Sequence, residues 1–137
     1  MAGSALFAVQ KAIYRQLTSN QELMAIVTGI FDQVPQDQPF PYVTIGEFTS
    51  VPFRTHSRFG EEITVTMHIW SQAEGYMESA TILDQLNKSL ADVAVAVEGF
   101  GEVGFFYEFS QALREPDGVT RHMPVRYRLK ILHQGGD

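Results

Sequence analysis

The stretch FSQALREPDGVTRHMPVRYRLKIL, residues 109–132, places a turn sequence between two segments whose residues alternate in polarity. Pro116 holds φ at about −65° in the first turn position, Asp117 suits the second position, and Gly118 can adopt a positive φ. This combination is typical of a three-residue hairpin loop that contains a type I turn and a glycine bulge. The chain therefore has to fold around an antiparallel pair of strands.

The turn also sets the strand register, because the loop length decides which residues face each other. If Glu115 faces Val119, polar and apolar residues separate onto opposite faces of the hairpin. A two-residue loop would set Glu108 against Val125 and mix the faces, so we expect the bulged form. The predicted pairs are Phe105–Leu129, Tyr107–Tyr127 and Phe109–Val125 on one face, and Phe106–Arg128 and Glu108–Arg126 on the other.

Chain length and composition favour one domain that spans residues 1–137. With 45% hydrophobic residues, a chain of this length can bury roughly two-thirds of its unfolded surface. It contains no run of about 18 apolar residues that would span a membrane. Lys11 and Arg15 interrupt the apolar N-terminal segment, which is unlike a signal peptide. Because cysteine is absent, we expect no disulfides, thiol nucleophiles or thiolate metal ligands.

Apolar residues at helical spacing predict two long helices, at residues 4–18 and 74–92. Between them, SNQE at 19–22 has the form of a capping box, with Ser19 as the cap of a short helix that ends at Gly29. The apolar stripe of the first helix contains Leu6, Val9, Ile13 and Leu17, and that of the second contains Tyr76, Ala80, Leu83, Leu86 and Leu90.

Alternating segments predict the remaining strands. YVTIGEF at 42–48 follows a proline-rich loop, and EEITVTMHIWS at 61–71 alternates apolar with polar residues, as expected of a strand with one core face. The element order indicates an α+β fold, with a mostly antiparallel sheet and two long helices packed on one face.

Residue patterns that would carry enzyme chemistry are missing from the sequence. The four histidines lack metal-ligand spacing, and no phosphate-binding loop or nucleophile elbow occurs. Glu61 and Glu62 are neighbours on a strand and point to opposite faces, so they cannot act as an acid and base pair. We therefore predict no catalytic, cofactor-binding or metal-binding residues. The formal net charge of −6 also opposes a general DNA-binding role.

The segment TSVPFRTHSRFG, residues 49–60, is predicted to be a long loop between two strands. Its aromatic and cationic residues are types enriched at protein interfaces, and they stand out in an acidic chain. A solvated loop without a partner is the alternative interpretation. The candidate assembly residues of this loop are Phe53, Arg54, His56, Arg58 and Phe59.

Three more candidates lie on strands, with their side chains pointing away from the predicted core. Trp70 would be an exposed tryptophan unless something covers it. Arg126 and Arg128 form a basic ladder with Lys130, either as an edge-protecting solvent face or as a docking surface for an acidic partner. Trp70, Arg126 and Arg128 therefore join the assembly hypothesis.

Three stretches, in order, carry a resemblance to a known family: YVTIGEF after VPQDQPFP, GEEITVTMHIWS before a helix, and LREPDGVTRHMPVRYRLKI at the end. Together they resemble the tail-completion, or tail-terminator, proteins of long-tailed bacteriophages and of phage-like gene transfer agents. The likeness covers nearly the whole chain, and its motifs are structural ones.

The resemblance implies a structural virion protein that forms a hexameric ring on the head-proximal end of the tail tube. Such a ring ends tube polymerisation and joins the tail to the head connector. The implied partners are further copies of the chain, the tail tube protein and the connector or stopper protein, with assembly in the cytoplasm of the bacterial host. DNA passes through the lumen without specific binding, which suits an acidic subunit.

Two other functions fit the same element order. The protein is alternatively another head-tail joining or minor tail protein, which would differ in the particle component that it binds. A small ligand-binding domain is the alternative from a different class, and it would need a pocket with converging polar groups.

Overall fold

The structure is a computed structural model that describes residues 4–133. Within this range α1 spans Leu6–Thr18, α2 spans Gln21–Ile26 and α3 spans Met77–Leu90. None of the helices of the described range is long and apolar enough to cross a membrane. The strands are β1 Ile30–Phe31, β2 Tyr42–Arg54, β3 Phe59–Ser71, β4 Ala94–Val97, β5 Gly101–Gly104, β6 Phe106–Ser110, β7 Leu113–Arg114 and β8 Arg121–Leu132.

One large sheet organises the domain, with strand order β1-β2-β3-β8-β6 and β7 paired to β8. The short β1 runs parallel to β2, and the other pairs are antiparallel. β4 and β5 form a separate hairpin. The predicted α+β class with a mostly antiparallel sheet is confirmed.

The core lies between the sheet and the helices. Alternate residues of β3 are fully buried, as the polarity of EEITVTMHIWS predicts, and the apolar stripe of α1 belongs to the same core. This group contains Ile63, Val65, Met67 and Ile69 from β3, and Val9, Ile13 and Leu17 from α1.

The buried stripe of α3 differs from the predicted one. Ala80 is exposed and Leu83 is half-buried, whereas Ile82, Leu86 and Leu90 are fully buried. The buried face also carries Ser79 and Ser89. Since small serines let a helix approach its neighbours closely yet count as polar, a search for apolar spacing alone places the stripe on a rotated face.

The cap of α2 is one residue later than predicted. Asn20 Oδ1 accepts a hydrogen bond from the Leu23 amide at 3.0 Å, whereas the Ser19 hydroxyl donates back to the Arg15 carbonyl at the end of α1. The helix ends at Ile26 rather than at Gly29. The tight connection between α1 and α2 thus uses both polar residues, one for each helix end.

The hairpin loop between β7 and β8 is one residue longer than predicted. The Glu115 amide donates to the Thr120 carbonyl at 2.9 Å, so Glu115 faces Thr120 and not Val119. The Asp117 carboxylate accepts hydrogen bonds from the amides of Val119 and Thr120, both at 2.8 Å. This side-chain cap stabilises the longer loop, an effect that strand polarity does not reveal.

A bulge farther along the hairpin corrects the shifted register. Phe109 faces Arg126 instead of Val125, and the register then shifts between Tyr107 and Phe109. Beyond the bulge, two predicted pairs are confirmed, Phe106–Arg128 and Tyr107–Tyr127. Phe105, predicted to face Leu129, lies outside β6 and forms an isolated bridge with Ala91.

We predict that Gly118→Val lowers the free energy of unfolding by about 1–3 kcal/mol, because Gly118 has a φ of +75° and a β-branched residue is strained there. Urea denaturation followed by circular dichroism measures the change. Gly104→Val is the matched control, since an added Cβ at either glycine has no neighbour within 4 Å and Gly104 lies in a strand. Equal stability of the two variants would contradict the assigned turn.

The prediction of a long loop at residues 49–60 is wrong. β2 and β3 each contain 13 residues and stay paired up to Arg54 and Phe59. Pro52 is a residue type that breaks inner strands, but it lies in a stretch of β2 that has no second neighbour among the described strands, and an edge strand tolerates proline. The loop therefore shrinks to a tight tip at residues 55–58.

Candidate assembly surface

The sheet has one face covered by helices and one face that α1 and α3 leave uncovered, which we call the open face. Side chains alternate between the two faces along each strand, so the open face consists of the strand residues that lie between the core residues. Trp70 faces His122 across the β3–β8 pair, and Arg128 faces Thr64. The predicted assembly residues Phe53, Trp70, Arg126 and Arg128 all lie on the open face.

The arginines of the open face are held by carboxylates of the same chain. Glu108, at the bulge of β6, accepts a hydrogen bond from Arg126 Nε at 2.8 Å and a second from Arg128. Arg128 also pairs with Glu62 at 3.1 Å. The hydrogen bond from Arg128 is the main reason that the pKa of Glu108 lies below its ordinary value.

This network changes the interpretation of the basic ladder. β8 lies between β3 and β6, so Arg126 and Arg128 do not protect a sheet edge, and that alternative is wrong. Both guanidinium groups already have carboxylate partners, which leaves less charge for an acidic partner. The exposed pairs add little to stability, but they fix where the side chains point.

An aromatic cluster covers Trp70 at the other end of the open face. The rings of Trp70 and His122 stack with centroids 3.9 Å apart, and Tyr42 lies on the tryptophan at 6.5 Å. Trp70 Nε1 donates to Thr44 Oγ1 at 3.3 Å. Trp70 is therefore half-buried by its own chain, and its polar atom is satisfied.

His122 belongs to a chain of four titratable groups that sequence spacing does not reveal. His68 Nε2 lies 3.0 Å from the Glu47 carboxylate, and His68 Nδ1 lies 2.7 Å from His122 Nε2. If a neutral His68 donates to Glu47, its Nδ1 accepts from His122, which leaves the other nitrogen of a neutral His122 as an acceptor that faces Glu115 at 3.4 Å. The pair spans 54 positions along the chain, so the sequence carries no local signal for it.

Burial and the neighbouring His68 lower the pKa of His122 below its ordinary value of 6.5, although Glu115 opposes them. The fold thus favours neutral His122, and stability should fall as the pH drops below about 6.5, where the unfolded chain binds the proton. We predict that His122→Gln loses less stability than the wild type between pH 7.5 and pH 5.5. Urea midpoints at both pH values measure this, and parallel profiles of the two proteins would contradict it.

The tip of the β2–β3 hairpin presents Arg54, His56 and Arg58, all of them exposed. The Thr55 amide donates to the Arg58 carbonyl at 2.8 Å, and the Arg58 amide donates to Thr55 Oγ1 at 3.0 Å. Within residues 4–133, Arg54 and Arg58 form no ion pair. The tip is thus an ordered turn whose two arginines have no carboxylate partner in the described part of the chain.

The two phenylalanines near the tip pack within the domain, on different sides. Phe53 lies on the open face above Gly60, where an added Cβ would come within 2.6 Å of the ring. Phe59 lies on the opposite side, with its ring 4.8 Å from that of the buried His133. The structure therefore does not bring all the predicted assembly residues together, since Phe59 belongs to the packing around His133.

The aromatic residues of β6 form an exposed group that the sequence interpretation missed as a surface. Phe106 is 66% exposed, Tyr107 42% and Phe109 41%, and β6 ends the sheet. Exposed aromatic side chains on an edge strand are typical of a surface that meets a partner. The available signal was the sequence FFYEF, which is aromatic at both odd and even positions and so cannot bury all its rings on one face.

Between residues 4 and 133, no group of three or more histidine, aspartate or glutamate side chains is arranged to hold a metal ion. What the chain does present is a set of surfaces, namely the open face, the hairpin tip and the aromatic edge.

Comparisons with known proteins agree on one kind of molecule. A family model described as "Tail completion protein gp17" matches residues 11–132. Tail completion protein gp17 of Bacillus phage SPP1 is 36% identical over 127 residues, which cover 90% of this chain and 92% of that protein.

Two solved structures extend the comparison. The structure of bacteriophage SPP1 gp17 superposes with a TM-score of 0.63 at 34% identity, covering 89% of this chain and 87% of that one. A chain from the virion of a native gene transfer agent particle superposes with a TM-score of 0.86 at 20% identity, covering 96% and 99%. The second likeness concerns the fold.

Proposed function

Because this chain belongs to the tail completion protein gp17 family, we propose that it forms a hexameric ring at the head-proximal end of the tail tube. The family is one of structural virion proteins and not of enzymes. In this proposal the ring ends tube polymerisation and joins the tail to the head connector. Its partners are further copies of itself, the tail tube protein and the connector or stopper protein.

The observation that best supports a ring is that the two edges of the large sheet differ. At one edge, β1 covers only Val43 and Thr44 of β2, so the rest of β2 has no outer neighbour among the described strands. At the other edge, β6 exposes its aromatic residues. Two unlike surfaces on one subunit suit head-to-tail contacts, which close into a ring when the rotation between subunits permits it.

The charge of the subunit suits a channel that DNA crosses. A net charge of −6 on each copy, repeated around a ring, gives a wall that does not retain a polyanion. Arg126 and Arg128 on the open face do not contradict this, because Glu108 and Glu62 offset their charge. The proposal therefore includes passage of DNA without specific binding.

Removal of the gene tests the function. Cells that make particles without this protein should accumulate heads and unattached tails, and the tails should be abnormal in length or at their ends in negative-stain images. Supplying the protein in trans should restore joined particles. Infectious particles of normal morphology from the deletion would overturn the proposal, and purified protein that binds isolated heads but not tails would favour a different head-tail joining role.

A further inference from the structure

The groove between α3 and β6 is a second candidate surface. It lies at the β6 edge of the sheet, whereas the hairpin tip belongs to β2 and β3. It has a volume of about 550 Å³, and its lining includes Asp84, Lys88, Asp92 and Tyr107. Within residues 4–133, neither aspartate forms an ion pair. Both aspartates are exposed, and Tyr107, which is 42% exposed, forms one wall.

We propose that this groove receives the β2–β3 hairpin tip of a second copy of the chain. The inference rests on the proposed ring and names its subunit contact. Arg54 and Arg58 bring two cations, and Asp84 and Asp92 offer two carboxylates, and none of the four forms an ion pair within residues 4–133. Their pairing leaves Lys88 as the excess charge of the groove lining. Arginine also stacks on aromatic rings, which gives Tyr107 a role in the contact.

The sheet topology makes this contact intermolecular. The tip ends β2 and β3, whereas β6 is separated from β2 by β3 and β8. Three strand spacings amount to about 14 Å, and the tight turn at residues 55–58 offers no slack to cross that distance within one chain. The tip of one copy would bind the groove of the next copy, and a contact between two different surfaces is heterologous, as a ring requires.

Disulfide trapping in assembled particles tests the contact, since the chain contains no cysteine of its own. Copies that carry Arg58→Cys and copies that carry Asp84→Cys are produced together, and the particles are oxidised gently. We expect a linked dimer of the two copies. Arg114→Cys paired with Asp84→Cys is the control, because Arg114 is also exposed but lies on β7.

Linkage no stronger than the control, in particles that join normally, would overturn the contact and leave the ring function standing. Linkage of Arg58→Cys to another virion protein would overturn it as well. A charge exchange covers the case in which cysteine variants fail to assemble. Arg58→Asp or Asp84→Arg alone should lower the yield of joined particles about tenfold, and the two together should restore it. Without recovery in the double variant, the proposal is wrong.

Discussion

Replacing Glu61 with alanine is expected to lower the free energy of unfolding by about 3–5 kcal/mol. Glu61 is 3% exposed, although it is a carboxylate near the end of the sheet. Its two oxygens accept hydrogen bonds from Ser4 Oγ at 2.8 Å, the Ala5 amide at 2.9 Å, Ser50 Oγ at 2.7 Å and His133 Nε2 at 2.6 Å. One side chain thus ties the start of α1, β2 and the residue that follows β8 to β3.

The cost of the substitution comes from the donors that are left behind. Buried donors without a partner lose their solvation, and His133 is 1% exposed. Burial raises the pKa of Glu61, but the hydrogen bonds from Ser50, His133 and Ser4 outweigh it, so the pKa lies below the ordinary value. The carboxylate is the favoured form, and its contribution should be lost as the pH falls below about 4.5.

The neighbouring Glu62 is the matched control. It lies on the open face, where it pairs with Arg128, and its side chain is 33% exposed. Glu62→Ala should therefore cost less than about 1 kcal/mol. Urea denaturation at pH 7 compares the two variants, and Glu61→Gln should fall between them because it keeps the shape and one acceptor. If Glu61→Ala and Glu62→Ala unfolded at the same urea concentration, the buried network would have no energetic role.

The contrast between Glu61 and Glu62 shows what a sequence can and cannot predict here. Strand alternation correctly places the two on opposite faces, because it depends on the local backbone alone. It does not predict that Glu61 is buried with four donors. Those donors come from positions up to 72 residues away, and their meeting depends on how the whole chain folds.

The same distinction holds for the other elements. The antiparallel core and the helix α1 were predictable because their apolar periods run through many residues. The hairpin loop was predicted one residue too short, because the Asp117 carboxylate, not the strand pattern, sets its length. The β2–β3 hairpin was mistaken for a loop because Pro52 and polar residues look like strand breakers, although an edge strand accepts both.

For the candidate site, residue type was more informative than arrangement. Aromatic and cationic residues marked Phe53, Trp70 and Arg126 as surface candidates, and the structure gathers them on the open face. Which charges remain free could not be read from the sequence. Glu108 holds both Arg126 and Arg128, and that depends on a bulge between Tyr107 and Phe109 that no local motif announces.

The double change Arg54→Glu with Arg58→Glu is expected to abolish assembly and to leave the isolated fold intact. Both arginines are exposed at the hairpin tip and lack ion pairs among the described residues, so the free energy of unfolding should change by less than about 1 kcal/mol. The double change replaces two positive charges by two negative ones, and the glutamates should repel the acidic groove of the neighbouring copy. Circular dichroism and thermal melting check the fold, and a tail-joining assay counts joined particles.

Arg114→Glu is the control that tests whether the position of the charge reversal matters. Arg114 is also exposed and also lacks an ion pair in the described part of the chain, but it lies at the β7–β8 hairpin, away from the β2–β3 tip. We expect this variant to join heads and tails at close to the wild-type yield. If the double variant melts as the wild type does and still joins particles at full yield, the tip is a solvated turn. The subunit contact would then have to use the open face or the aromatic residues of β6, where charge at the tip has no influence.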